Sequence, residues 1–155
     1  MGRFMLDFAK ADLKAAKIFL YDTDDLSLRI SAYHTEQAIE KILKQVLEEL
    51  GVSYKKDPGF GAMLAAIPDS QDMLSDTTLD VLSDNADRLR NWSTELRYTK
   101  SYVTTRRETT RMFEFACGFY NEVCEAIVRR TPEESDIPEK PTVDRVGIKL
   151  LRLTD

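Results

Sequence analysis

Residues 24–51, DDLSLRISAYHTEQAIEKILKQVLEELG, predict one long central helix that the rest of the chain packs around. Asp24 or Asp25 can cap its first turn by accepting from free backbone N–H groups, and Gly51 can adopt the left-handed conformation that ends a helix. Its apolar residues recur at steps of three, four or seven and form one stripe, which consists of Leu28, Ala32, Ile39, Leu43, Val46 and Leu50. A stripe of this length requires partner helices to cover it.

The other side of this helix is charged, and we expect it to face solvent. It carries Glu36, Glu40, Lys41, Lys44, Glu48 and Glu49. Glu40 precedes Lys44 by four residues, which is the favourable order for an intrahelical ion pair. His34 and Gln37 lie between the two faces, so we expect both side chains to be half-buried.

Three further amphipathic helices are predicted by apolar residues spaced three or four apart. The first spans residues 4–21, and its core face consists of Phe4, Phe8, Ala11, Ala15 and Phe19. The next spans about residues 78–96, begins with the capping-box pair Thr77 and Asp80, and has the stripe Leu79, Leu82, Ala86, Leu89 and Leu96. The last begins with the capping-box pair Thr105 and Glu108, and its stripe is Met112, Ala116, Phe119, Val123 and Ile127.

The connections between these helices are short or rich in Gly and Pro. Residues 52–71 predict a loop with one short helical turn at 63–67, and residues 97–104 predict a connecting loop. The fold class is therefore all-α, an up-and-down four-helix bundle over residues 1–130. Residues 131–155 contain three prolines and several acids, and they predict an extended tail with an apolar terminal segment that docks elsewhere.

Composition restricts the class of protein. A chain of 155 residues is one domain, and a net charge of -5 from 22 basic and 27 acidic residues argues against a DNA-coating or polybasic membrane-surface protein. Cys117 and Cys124 are seven residues apart in one predicted helix, about 10 Å by helical rise, which is too far for a disulfide. Both thiols are expected to be free, and the sequence has no apolar run that could span a bilayer and no signal-peptide pattern. We therefore predict a cytoplasmic protein without a membrane association.

Several kinds of chemistry lack the residues that they need. One histidine and two cysteines within a single helix do not provide a metal site. No GxxxxGK[ST] sequence or dinucleotide fingerprint is present, so no cofactor is predicted. A Ser or Cys nucleophile would need His34 as its base, and no spacing in the sequence pairs them.

A cationic band lies between positions 88 and 111, where the sequence has seven basic and two acidic residues. Trp92, Tyr98 and Tyr102 lie in the same band, and rings among cations are typical of sites that bind nucleotide phosphates and stack bases. Arg106 and Arg107 begin the last helix, where the helix dipole disfavours cations, so an anion or an acidic partner there would stabilise them. The alternative interpretation is a solvated helix face that pairs with acidic tails.

Two motifs resemble the HEPN family, the higher-eukaryote and prokaryote nucleotide-binding domain. Residues 34–44, HTEQAIEKILK, are similar to the family's helix with Gln-Ala, Glu-Lys and Leu-Lys at this spacing, and Arg97 and Tyr98 resemble its Arg-Tyr pair. The resemblance covers about residues 4–130. It implies a homodimeric helical bundle that is often encoded beside, or fused to, a nucleotidyltransferase.

Some members of that family are metal-independent ribonucleases that use Arg, four to six other residues and then His. Here the frame begins at Arg90, and Glu95, Leu96 and Arg97 occupy the positions of the histidine. Without that histidine for proton transfer or orientation, the resemblance favours a domain that is not an enzyme. The predicted function is binding of a nucleotide, RNA or a nucleotidyltransferase-type partner. The alternatives are a ribonuclease toxin of a toxin-antitoxin pair, with His34 reaching across, and a structural interaction domain.

The candidate ligand-binding residues fall into two groups. Those of the cationic band are Arg90, Asn91, Glu95, Arg97, Tyr98, Arg106 and Arg107. Those of the central helix are His34, Gln37 and Lys41. For the second group, one interpretation is a polar lining of a cleft between the central helix and the Arg-Tyr segment, and the other is hydrogen bonding that fixes helix packing.

Overall fold

The computed structural model describes residues 3–54, 59–98 and 102–131, and that part of the chain is all-α. Its helices are α1 Phe4–Leu20, α2 Asp25–Glu49, α3 Phe60–Ala66, α4 Asp76–Asp84, α5 Ala86–Tyr98 and α6 Arg106–Arg130. The predicted fold class is confirmed, and α3 is the expected extra helical turn. The predicted tail lies outside the described residues from position 132 onward.

Helix α2 occupies the centre and packs against α1, α3, α5 and α6. Its predicted ends are confirmed. The Asp24 side chain caps the first turn by accepting from the Ser27 backbone N–H at 2.8 Å, and Gly51 has the left-handed φ of 70°. The predicted Glu40–Lys44 ion pair is also present, with 3.0 Å between Oε1 and Nζ.

Contacts at the two ends of α2 fix the direction of its neighbours. Arg3 at the start of α1 pairs with Glu49 at the end of α2 at 2.7 Å, so these two helices run antiparallel. Arg29 near the start of α2 donates to the carbonyl oxygen of Leu96 at 2.6 Å, so α5 is also antiparallel to α2. Arg130 at the end of α6 donates to the Glu49 carbonyl oxygen at 3.3 Å, so α6 runs parallel to α2. The order is up, down, up, down.

Helix α6 follows its prediction closely. The Thr105 hydroxyl accepts from the Glu108 backbone N–H at 3.1 Å, as the capping-box pair predicts. All five residues of its predicted stripe are buried. Cys117 and Cys124 are buried free cysteines on the same helix.

The third predicted helix is wrong in three respects. It is two helices, α4 and α5, separated at Asn85, whose φ of −108° and ψ of 10° leave the helical region. The Asn85 side chain donates to the Val81 carbonyl oxygen at 2.8 Å, which offers the backbone an alternative to continuing the helix. The N-cap is Ser75, which accepts from Thr78 at 3.2 Å, and not Thr77. At the other end α5 continues through Tyr98, into the segment predicted as a loop.

The predicted core face of α1 is also wrong. Phe4 and Phe8 are 70% and 58% exposed, whereas the buried face consists of Leu6, Ala9, Leu13, Ala16 and Leu20. Both sets of residues have the three-and-four spacing of a helical stripe, so the spacing alone does not distinguish them. The alternating Leu and Ala residues allow α1 to lie close to α2, its most extensive neighbour.

Glu36 is buried, with only 3% exposed, although its charge predicted a solvent position. Four helices cover α2, so little of its circumference remains for charged side chains. Burial and the nearby Glu40 raise the pKa of the Glu36 carboxyl to about 8, and the hydrogen bond from Gln37 partly opposes this shift.

We predict that Glu36→Gln removes a pH dependence of stability. The unfolded carboxyl has an ordinary pKa of 4.5, so wild type loses stability relative to the variant as pH rises from there to about 8. The loss is at most about 1.4 kcal/mol per pH unit. Urea unfolding of both proteins between pH 5 and pH 9 measures it. The exposed Glu114→Gln is the control, and an equal pH dependence in all three proteins would contradict the prediction.

Candidate functional site

One end of the bundle collects most of the candidate residues. We call it the loop end, and it consists of the α1–α2 connection, residues 102–105 and the adjoining ends of α5 and α6. Arg106 joins these parts because its guanidinium donates to the carbonyl oxygens of Leu20 and Asp22. The carbonyl groups at the end of α1 lack helical partners and carry partial negative charge, so they suit a cation. Arg106 therefore has an intramolecular partner in place of the anion expected there.

Arg29 is the residue of this region that the sequence analysis missed. It donates to the carbonyl oxygens of Glu95 at 3.3 Å, Leu96 at 2.6 Å and Tyr102. The first two acceptors lie near the end of α5, and Tyr102 lies in the segment that leads to α6. One side chain on α2 therefore holds the end of α5 and that segment in place. The sequence feature that could have identified Arg29 is that it is a single cation among small and apolar residues in the first half of α2.

A small cleft lies beside Arg29. Its volume is about 120 Å³, and it is lined by Asp25, Arg29, Tyr102, Val103 and Thr104. A cavity that holds one water molecule needs about 10–15 Å³ by the same measure, so this volume is sufficient for a phosphate-sized group. Exposed apolar side chains occur on the same end at Tyr21, Leu26 and Val103. The cleft can therefore hold one polar group, with larger parts of a ligand outside it.

The candidates on α5 occupy two stripes. Arg90 is exposed, and its guanidinium lies 3.4 Å from the carboxylate of Asp87, which is also exposed. Asn91 and Glu95 are half-buried. Arg97 follows Arg90 by seven residues, so their Cα atoms lie on the same face of α5, about 10 Å apart along its axis. The side chains of Arg97 and Tyr98 lie outside the described part of the structure.

The first turns of α6 contribute solvent-facing cations. Arg107 and Arg111 are exposed and four residues apart. Between them Glu108 lies 3.4 Å from Arg88 of α5, so an ion pair bridges the two helices. Trp92, which was expected to offer a ring for base stacking, is completely buried, and that expectation is wrong. Tyr102 remains half-buried at the cleft.

Two of the three candidates on α2, His34 and Lys41, contact α1 and not the loop end. His34 Nδ1 lies 2.9 Å from Asp12 Oδ1, and Lys41 donates to the other oxygen of the same carboxylate. Gln37 donates to Glu36 at 2.8 Å and to Glu40 at 3.5 Å. One carboxylate of α1 thus joins two turns of α2. These contacts correspond to the packing interpretation for His34 and Lys41, whereas Gln37 bonds within its own helix.

The residues of the ribonuclease alternative are not brought together within one chain. Arg90 and Glu95 lie on α5, whereas His34 contacts Asp12 on α1, on a different side of α2. A base and the arginine that it assists must lie within hydrogen-bond reach of one substrate. Across the described ranges, no three His, Cys, Asp or Glu side chains are grouped so that they could hold a metal ion.

The residues that the structure describes form an all-α, up-and-down helical bundle. The family model of the HEPN domain matches residues 3–127, most of the chain. The chain belongs to the HEPN domain family, as its central helix and Arg-Tyr pair indicated. No curated protein and no solved structure gives a significant match. None of the helices that the structure describes has the length and apolar character to cross a membrane.

We predict that Arg29→Met destabilises the fold by about 1–3 kcal/mol, because it leaves three carbonyl oxygens without their donor. The matched control is Arg107→Met, which removes the same group from an exposed position and should not destabilise the fold, because the helix dipole disfavours a cation there by about 0.3–1 kcal/mol. Urea unfolding at constant pH compares them. Equal effects of the two substitutions would show that Arg29 does not hold the loop end.

Proposed function

We propose that this HEPN domain is non-catalytic and binds RNA through the arginines of its loop end. Arg107 and Arg111 carry the proposal. Both face solvent near the start of α6. The helix dipole disfavours Arg107, which lies in the first turn, by about 0.3–1 kcal/mol, and Arg111 four residues later repels it. Residues that cost stability in this way are expected at functional sites, and the phosphate backbone of RNA would stabilise both.

In the proposal, the remaining candidates of the cationic band also contact the RNA or hold the site in position. Arg90 and Arg97 extend the cationic surface along α5, and Asn91 and Glu95 orient the ligand beside it. A phosphate group enters the cleft beside Arg29, and a base stacks on Tyr102 or Tyr98. Arg29 and Arg106 keep the two connections of the loop end in position by binding carbonyl groups.

The ribonuclease toxin receives less support than RNA binding. It needs a general acid or base near Arg90, and the one histidine of the chain is engaged with Asp12 on α1. His34 and Lys41 are accordingly assigned to packing, Gln37 bonds within α2, and none of the three is assigned to the ligand. The proposal has no metal and no cofactor.

A protein partner is the second candidate, and the exposed apolar side chains Tyr21, Leu26 and Val103 favour it. Apolar side chains with arginines nearby are typical of the central part of protein interfaces. A partner of the nucleotidyltransferase type, which the family resemblance implies, would contact this same end. The proposal keeps the expected cytoplasmic location, and homodimerisation through a separate face is compatible with either candidate.

The proposal predicts that Arg107→Ala and Arg111→Ala each weaken RNA binding by about three- to tenfold at low salt and reduce the salt dependence by about one counterion. Fluorescence anisotropy of a labelled mixed-sequence RNA in excess chelator measures both quantities. Arg129→Ala is the control, because it removes the same charge from the far end of the same helix.

Three results would contradict the proposal of a non-catalytic domain that binds RNA at the loop end. Equal weakening by all three substitutions would indicate non-specific attraction to the whole surface. Cleavage of the RNA in chelator that disappears with Arg90→Ala would show a ribonuclease. The second candidate would be favoured if the domain did not bind RNA but bound a nucleotidyltransferase-type protein, and if Val103→Asp abolished that binding.

A further inference from the structure

Helix α1 has a second apolar face that the rest of the described structure leaves open. Phe4, Phe8 and Ile18 are 70%, 58% and 61% exposed. Ala11, which is exposed, and Ala15, which is half-buried, lie between them, and we call these five residues the α1 stripe. Their steps are four, three, four and three residues, the 3.5-residue period of helices that pack along a seam. Apolar side chains aligned in this way on a surface mark an interaction site.

A matching pattern occurs in residues 143–153, VDRVGIKLLRL, which lie outside the described part of the structure. Four apolar residues recur there at steps of three, four and three, namely Val143, Val146, Leu150 and Leu153. Three basic residues recur at steps of four and three, namely Arg145, Lys149 and Arg152. With helical geometry the two sets occupy different faces, so the segment has the pattern of an amphipathic helix.

We propose that residues 143–153 pack as a helix on the α1 stripe of the same chain. The described chain ends beside the beginning of this stripe. Arg130 at the end of α6 donates to the Glu49 carbonyl oxygen at 3.3 Å, and Arg3, which precedes Phe4, donates to the Glu49 carboxylate at 2.7 Å. One residue of α2 thus contacts both the point from which the chain continues and the point at which the stripe begins.

The length of the connection permits this docking. Residues 132–142 are eleven residues, which reach at most about 40 Å when extended. The α1 stripe is about 21 Å long by helical rise, so every part of it is within reach. Pro132, Pro138 and Pro141 in the connection oppose a continuation of α6. A segment tethered this closely has an effective concentration on the order of mM, which favours the same chain over a second copy as the source of the covering helix.

Side-chain size determines the direction of the docked segment. If the segment runs parallel to α1, each pair joins a larger side chain with a smaller one. The pairs are Phe4 with Val143, Phe8 with Val146, Ala11 with Leu150 and Ala15 with Leu153. The opposite direction places Leu beside Phe at one end and Val beside Ala at the other, so the helices could not approach evenly. The parallel direction also continues the alternation of the bundle, because α6 runs antiparallel to α1.

This inference goes beyond the proposed RNA site. The α1 stripe contributes none of the arginines of the loop end, and the opposite face of α1 is already buried against the bundle. Substitutions in residues 143–153 that prevent docking are therefore expected to leave the bundle folded and its loop end intact. The docking and the RNA site can fail independently of each other.

Hydroxyl-radical footprinting of the full chain tests the docking, because the labelling of Phe4 and Phe8 reports the exposure of their rings. We expect both rings to be protected in wild type, and we expect Leu150→Asp to increase their labelling severalfold. Ile148→Asp is the control, since it places the same charge two residues away, on the opposite face of the helix, and should leave the protection unchanged. Tyr21, which is 48% exposed, should be labelled equally in all three proteins and provides the reference.

Engineered disulfides in the full chain test the direction. Phe8→Cys combined with Val146→Cys should form a disulfide within one chain under mild oxidation. Phe8→Cys combined with Leu153→Cys should not, because Leu153 lies seven residues beyond Val146, about 10 Å by helical rise. The native cysteines Cys117 and Cys124 are buried and therefore do not compete. Mass spectrometry of the digested protein identifies each link.

Four results would overturn the proposal. Labelling of Phe4 and Phe8 in wild type as strong as that of Tyr21 would show that the α1 stripe is open. Protection that is lost on hundredfold dilution, or disulfides that join two chains, would assign the covering element to a second copy. Equal labelling of Leu150→Asp and Ile148→Asp would show that the apolar face of the segment does not contact α1. Equal disulfide yields from the two cysteine pairs would contradict the parallel arrangement.

Discussion

The burial of α2 is the constraint on which the rest of this bundle depends. Four helices pack against it, and its two ends hold the contacts that orient them. At one end Glu49 binds Arg3 and Arg130, which fixes α1 and α6. At the other end Arg29 holds the carbonyl groups that end α5 and begin the next segment. Helix α2 therefore determines the shape of the loop end, although α2 supplies few of the exposed groups there.

Local signals were sufficient where the interaction is local. The caps at Asp24 and Thr105 bond to backbone groups three residues away, and Gly51 needs only its own conformational freedom. Periodicity identified α2 and α6 for the same reason. It failed for α1, where two faces have the same spacing, and for Glu36, whose burial depends on how many helices cover α2. These features are determined by the tertiary packing.

In the candidate site, too, the sequence revealed local features but not those that depend on tertiary contacts. The cationic band was visible in the sequence, and Arg90, Arg107 and Arg111 are exposed as such a band requires. The partners of Arg29 and Arg106 are more than sixty residues away, so no spacing rule predicts that these two cations bind carbonyl oxygens. Tertiary contacts likewise determine the burial of Trp92 and the engagement of His34 with Asp12 on another helix.

The central claim is that the loop end is the ligand-binding end, held in place by α2. An NMR titration of the labelled full chain with a short mixed-sequence RNA tests it without any substitution. The account predicts that amide signals of residues 25–29 and 102–111 shift together, while those of α3 remain unchanged. Shifts confined to α3 and the far end of α6, or a uniform shift of all exposed lysines and arginines, would contradict it.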